Sequence, residues 1–182
     1  MSAGELKIDD YELVNSIATG NYSQIWEVVD TATSEHLVMK LLLPDALAQS
    51  SQLGILKHEA KVAKSLEHPN LIKFHKLVSS KESAYIIMEY FRGASLNAQI
   101  FSDTAGLQQR FRKLFESICL ALSYMHDRGW VHRDIKPDNI LMNKGSELRL
   151  IDFSLSSKHA TGLSKLFAGK KTIQGTRTYI AP

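Results

Sequence analysis

The stretch His132-Arg133-Asp134-Ile135-Lys136-Pro137-Asp138-Asn139, followed by Ile140-Leu141-Met142, sets an acid, a lysine and an amide close together in the chain. Pro137 has no N–H to give and pushes Lys136 out of the right-handed helical region, so a helix cannot run through this point. The segment therefore reads as a loop entering a short apolar strand. A loop fixed in this way can aim Asp134 at a hydroxyl proton, Lys136 at a phosphate and Asn139 at a metal ion.

Working outward, Leu148-Arg149-Leu150-Ile151-Asp152-Phe153-Ser154 reads as a strand ending in an acid. Asp152 and Asn139 offer hard oxygen ligands of the kind that suit Mg²⁺ bridging phosphates. Upstream, His36–Leu43 alternates Val38, Lys40 and Leu42 on one face with Leu37, Met39 and Leu41 on the other. A lysine among apolar neighbours is costly unless its ammonium meets a negative partner. Glu59 is the candidate, because it falls on the apolar stripe of the helical pattern Leu53, Leu56, Ala60, Ala63 and Leu66.

These motifs, in this order, resemble those of a serine/threonine protein kinase catalytic domain, with Lys136-Pro137 marking that branch. The resemblance runs from about Tyr11 to the end of the sequence. It implies an α+β protein-kinase-like fold: a β-rich lobe with one main helix, a short hinge, and the first part of a helical lobe. Residues 1–10 would be an extension, 11–89 the first lobe, 90–93 the hinge and 94–182 the partial second lobe. The implied cofactors are ATP and Mg²⁺, and the implied partners are proteins bearing Ser or Thr acceptors. Asp134 would be the catalytic aspartate that accepts the hydroxyl proton, with Lys136 beside the transferred phosphoryl and Asn139 and Asp152 on the metal. Lys40, oriented by Glu59, would grip the α- and β-phosphates. Ile17-Ala18-Thr19-Gly20-Asn21-Tyr22-Ser23-Gln24-Ile25 takes the place of the glycine-rich phosphate loop. It departs from the family pattern: Ala18 and Ser23 stand for the outer glycines, and only Gly20 can freely take φ > 0. Ile25 and Val38 would wall the adenine from above and Leu141 from below, with Val38 where a smaller alanine is usual. Met88 would back the pocket, and main-chain groups of Glu89 and Phe91 would meet the adenine edge. Ser154 replaces the usual glycine after Asp152-Phe153. Residues 155–175 read as a solvated mobile loop or, as the resemblance implies, as an activation loop that phosphate on Thr172 or Ser164 could order by pairing with Arg133. Thr176 would bond Asp134 and Lys136.

The sequence has 182 residues with a net charge of +3, 44% hydrophobic and 23% charged, and it reads as soluble and globular. No dense basic stripe interleaved with aromatics is present, which argues against nucleic-acid binding. No apolar run of spanning length occurs, because Leu41-Leu42-Leu43 is stopped by Pro44, so no membrane insertion is expected. The single Cys119 lies in a helical pattern and is expected to be buried and inert, in a reducing cytoplasmic setting. Strands are expected over 11–18, 23–30, 36–43, 72–79 and 83–89, with a helix over about 50–66. Leu107, Phe111, Leu114, Phe115, Ile118, Leu122 and Met125 mark one long amphipathic helix ending near Gly129. Because the sequence stops at Ala181-Pro182, it is expected to be a fragment, inactive in isolation, that exposes the stripe from Phe111 to Leu122. Two other functions fit some features. A non-catalytic, pseudokinase-like nucleotide-binding or scaffolding module suits the altered glycine loop and Ser154, although none of Lys40, Glu59, Asp134, Asn139 and Asp152 is replaced. A small-molecule phosphotransferase of similar fold would usually lack the Lys136-Pro137 and Thr176 contexts.

Overall fold

The computed structural model describes residues 6–159. They form two compact units. One contains residues up to Lys64 together with Lys73–Tyr90, and the other Ser65–Ile72 together with residues from Phe91 onward.

The first unit is built on a six-stranded antiparallel sheet of β1 (Lys7–Ile8), β2 (Tyr11–Thr19), β3 (Ser23–Asp30), β4 (His36–Leu42), β5 (Phe74–Ser79) and β6 (Ala84–Glu89), in the order β1-β2-β3-β4-β6-β5. Lys7 and Ile8, expected to lie in an extension, are instead the edge strand of this sheet, paired with Glu12 and Tyr11. Two helices follow β4: α1 (Pro44–Leu47), which periodicity did not reveal, and α2 (Ser50–Lys64). Pro44 starts α1 at the position where its missing N–H costs nothing.

Because strand side chains alternate, the two faces of the sheet carry different cores. One face holds Tyr11, Leu13, Val28, Leu37, Met39, Tyr85 and Ile87. The other holds Leu42, Ala84 and Ile86, which pack with Ala46 of α1 and with Leu56 and Ala60 of α2. On the first face the Tyr11 and Tyr85 rings meet edge to face, and the Tyr85 hydroxyl donates to the Asp9 carboxylate. Burial, reinforced by that carboxylate, pushes the Tyr85 phenol well above its ordinary pKa.

In the second unit, β7 (Ala94–Ser95), β9 (Ile140–Met142) and β10 (Leu148–Leu150) form a three-stranded sheet in the order β10-β9-β7. The strands β8 (Trp130–Val131) and β11 (Ser157–Lys158) pair as a ribbon. The helices are α3 (Leu96–Ser102), α4 (Thr104–Gln109) and α5 (Phe111–Asp127). The single long helix expected from Leu107 onward is broken at Arg110, which has φ −96° and ψ 1°. Its guanidinium bonds the Gly106 and Asn143 carbonyls and the Asp103 carboxylate, so tertiary contacts override arginine's good helix propensity. Side-chain caps at Ser95 and Asp103 start α3 and α4. Gly129, at φ +73°, ends the turn after α5.

The face of α5 that packs inward carries Leu114, Ser117, Ala121 and Met125. Leu114, expected in the exposed stripe, is buried, whereas Phe111 and Phe115 stack on each other while 61% and 59% exposed. Cys119 is exposed rather than buried, because it falls one helical turn beyond Phe115 on that outer face. No helix among the described residues is long and apolar enough to cross a membrane.

Candidate active site

In the first unit the strand register gathers one set of expected residues. Ile25 lies opposite Lys40, Lys40 opposite Ile86, and Val38 opposite both Glu27 and Met88. Directly opposed residues share a face, so Ile25, Val38, Lys40 and Met88 project to the same side as α2. The Lys40 ammonium reaches Glu59 of α2 at 2.6 Å, and the two side chains are only 15% and 4% exposed. The pairing inferred from alternation and helical spacing is therefore present. In an ion pair so poorly solvated, each charge helps to offset the burial of the other.

The loop after β2 is less demanding than its sequence suggested. The Gly20 N–H donates to the Ser23 carbonyl at 2.9 Å, which closes the turn. Gly20 does not take positive φ, and a Cβ there would meet only the Ser23 carbonyl oxygen at 3.5 Å, an ordinary contact. The conformational freedom expected of Gly20 is not used. Ser23 opens β3 opposite Leu42, and Ile17 sits at an irregularity of β2, 52% exposed. At the end of β6, the Glu89 N–H donates to the Lys73 carbonyl while its carboxylate accepts the Lys73 N–H.

In the second unit the stretch 132–139 is a loop closed by a single 3-10 turn at Pro137–Asn139. Asp134, 9% exposed, has its carboxylate contacted at 2.9 Å by the Lys136 ammonium and at 2.9 Å by the Asn139 amide. Asn139 Nδ2 also donates to the Asp134 carbonyl at 2.8 Å. Two acceptors on Nδ2 fix the orientation of the amide, so its oxygen is the end available to a metal. The Ile151 N–H donates to the Asn139 carbonyl at 3.0 Å, which sets Asp152 beside the loop. Asp152 Oδ1 accepts the Ser154 N–H at 3.2 Å. Both Arg133 (φ +70°) and Asp152 (φ +64°) adopt the left-handed region, a strain of about 1–3 kcal/mol each that concentrates at working sites. Among the described residues no cluster of three or more His, Cys, Asp or Glu could cage a metal unaided. A buried amide oxygen and one carboxylate fit Mg²⁺ instead, an ion usually held by few protein oxygens plus substrate phosphates.

His132 anchors the loop from beneath and was not singled out from the sequence. It is 1% exposed, packs edge to face on Phe153 at 5.6 Å, and places Nε2 3.2 Å from the Ile151 carbonyl. Its Nδ1 accepts the Asp134 N–H at 3.3 Å. One nitrogen must donate and the other accept, so the ring is the neutral Nε2–H tautomer. Burial holds its pKa below the ordinary histidine value, consistent with that assignment.

Leu141, in β9, lies opposite Ser95 and Arg149. The Phe91 carbonyl accepts the Gly93 N–H, and the Arg149 guanidinium lies 4.8 Å over the Phe91 ring. Residues 155–159, expected to begin a mobile loop, are tied down: β11 pairs with β8, and the His159 N–H donates to the Gly129 carbonyl. Lys158 adds a cation–π contact over Trp130 at 4.1 Å. Ser164, Thr172 and Thr176 lie outside the described residues.

The family model described as the protein kinase domain matches residues 11–182. The chain belongs to the protein kinase family. Among its relatives, CBL-interacting protein kinase 24 of Oryza sativa subsp. japonica is 31% identical over 183 residues, covering 100% of this chain and 40% of that protein. CBL-interacting serine/threonine-protein kinase 21 of Arabidopsis thaliana is 33% identical, covering 98% and 42%. Ovarian-specific serine/threonine-protein kinase Lok of Drosophila melanogaster is 31% identical, covering 94% and 37%. The kinase domain described here thus spans about two fifths of the length of such relatives.

Proposed function

We propose that this chain carries the ATP-dependent transfer of a phosphoryl group to serine or threonine hydroxyls of protein substrates. The observation that carries the reading is the Asp134 carboxylate, buried, clamped by Lys136 and Asn139, and set on a loop whose backbone is fixed by neutral His132. Asp134 orients the acceptor hydroxyl and takes its proton as the bond to phosphorus forms. Lys136 neutralises charge on the transferred γ-phosphoryl. Lys40, aimed by Glu59, holds the α- and β-phosphates, and Ser23 and Gly20 cover them. Ile17, Ile25, Val38, Met88 and Leu141 contact the base, whose edge is met by main-chain groups of Glu89 and Phe91. Asn139 and Asp152 hold Mg²⁺, which when bound neutralises developing charge on the phosphate oxygens. Regulatory partners are suggested by relatives named CBL-interacting, and a cytoplasmic setting fits a chain with a single, unpaired cysteine.

The test is Asp134→Asn in the full protein. Turnover of a Ser/Thr peptide should fall by orders of magnitude, while Mg·ATP affinity stays within about 2-fold, because the lost group acts on the acceptor alone. Unchanged turnover removes Asp134 from this role. Phosphoamino-acid analysis dominated by phosphotyrosine contradicts the substrate class.

A further inference from the structure

Next to the Asp134 loop lies a polar network that the assigned roles do not use. Gln99 of α3 is 7% exposed, and a buried amide is costly unless bonded. Its Nε2 donates to the Ala94 carbonyl of β7 at 2.9 Å and to the Met142 carbonyl of β9 at 2.8 Å. Its Oε1 lies 3.5 Å from Arg110 Nη2. Arg110 Nη1 donates to the Asn143 carbonyl at 3.2 Å, and Nη2 to Asp103 at 3.0 Å. Two consecutive carbonyls, those of Met142 and Asn143, are thus gripped from one side.

The Met142 carbonyl ends β9, a strand of three residues that begins directly after Asn139, and the Asn143 carbonyl follows immediately. At about 3.3 Å per residue, Met142 lies only about 10 Å along the strand from Asn139, too short a span to absorb a shift. Gly93 tightens the same spot, since a Cβ there would fall 2.9 Å from the Met142 carbonyl carbon. A third link joins Asn97 Nδ2 of α3 to the Asp138 carboxylate at 3.0 Å.

The geometry points to Arg110 and Gln99 as positioning residues for nucleotide and metal binding. By fixing the far end of β9 they set the placement of Leu141 under the base and of the Asn139 amide oxygen on the metal. The inference rests on the function proposed above. A guanidinium is required because a single ammonium cannot reach Asn143, Asp103 and Gln99 together.

The experiment measures Mg·ATP binding by titration without acceptor peptide, on the full protein, well below each variant's melting midpoint. Arg110→Met and Gln99→Leu should each weaken Mg·ATP binding by about 10-fold, a loss of about 1.4 kcal/mol. Arg110→Lys should be as weak as Arg110→Met. Arg112→Met, two residues on with its side chain 92% exposed, should bind as wild type. The KM for peptide should not change in any of them. Folded variants that bind Mg·ATP like wild type overturn the inference and leave the kinase function standing. Should Arg110→Met fail to fold, Arg110→Lys and the near-isosteric Gln99→Met decide in the same way. A wild-type protein that does not bind Mg·ATP overturns both.

Discussion

Glu59→Gln removes one charge from the Lys40–Glu59 pair and leaves an ammonium that is 15% exposed without its carboxylate. Breaking a buried pair by removing one partner costs about 3–5 kcal/mol. Lys40 keeps some access to water, so the lower end, about 3 kcal/mol, applies here. For a chain of this length 1 kcal/mol moves the melting midpoint by about 2–4 °C, which predicts a fall of about 6–12 °C. Lys40→Met should do the same, because it takes the facing ammonium away from Glu59, which is 4% exposed. The double variant Lys40→Met/Glu59→Leu removes both charges and fills the space with apolar atoms, so its midpoint should return to within about 3 °C of wild type, since apolar replacement of such pairs is often neutral or better. Phosphotransfer should nevertheless be lost in all three. Thermal melts of the set, with turnover measured beside them, separate the two roles. Single variants that melt like wild type, or a double variant whose loss is the sum of the singles, would refute the account of a desolvated pair acting as one unit.

Three further outcomes follow from geometry. Neutral His132 has a folded-state pKa below its unfolded value, so it stabilises the fold fully above about pH 6.5. That contribution should drain away as pH falls below about 6.5 towards the folded value, and His132→Phe should remove this part of the pH dependence in urea titrations; an unchanged slope would disprove it. Gly93→Ala should destabilise by about 1–3 kcal/mol, since the added methyl would lie 2.5 Å from the Phe91 ring and 2.9 Å from Met142. Gly20→Ala, in contrast, should leave the melting midpoint within about 2 °C, because its backbone does not need glycine.

The Lys40–Glu59 contact and the loop at 132–139 are legible in the sequence because their signals are local. Strand alternation puts Lys40 among apolar neighbours, and helical spacing puts Glu59 on the inner stripe of α2, so each points to the other. Pro137 announced a loop at 132–139. What could not be read arose from contacts distant in sequence. Arg110 is a good helix former, and its break depends on Asn143, Gln99 and Asp103 gathering around it. The apolar pattern around Cys119 is too wide to lie on one buried face, and only packing decides that Leu114 turns inward while Phe115 does not. Gly20 can take positive φ by residue type, but only the fold shows that the bond from its own N–H to Ser23 closes the turn without it. The caps at Ser95 and Asp103 were available as signals and would have separated α3 and α4 from α5.

The two unlike faces of the six-stranded sheet give β4 a means of checking its own threading. A slip of one residue against its neighbours would turn Lys40 into the face lined by Tyr11, Leu13 and Val28, and would bring Met39 round to confront Glu59. Both errors are charged at once, one as an ammonium among aromatic and aliphatic side chains and the other as a carboxylate facing a thioether. The ion pair thus works as a check on alignment, penalising a β4 threaded one residue out of step.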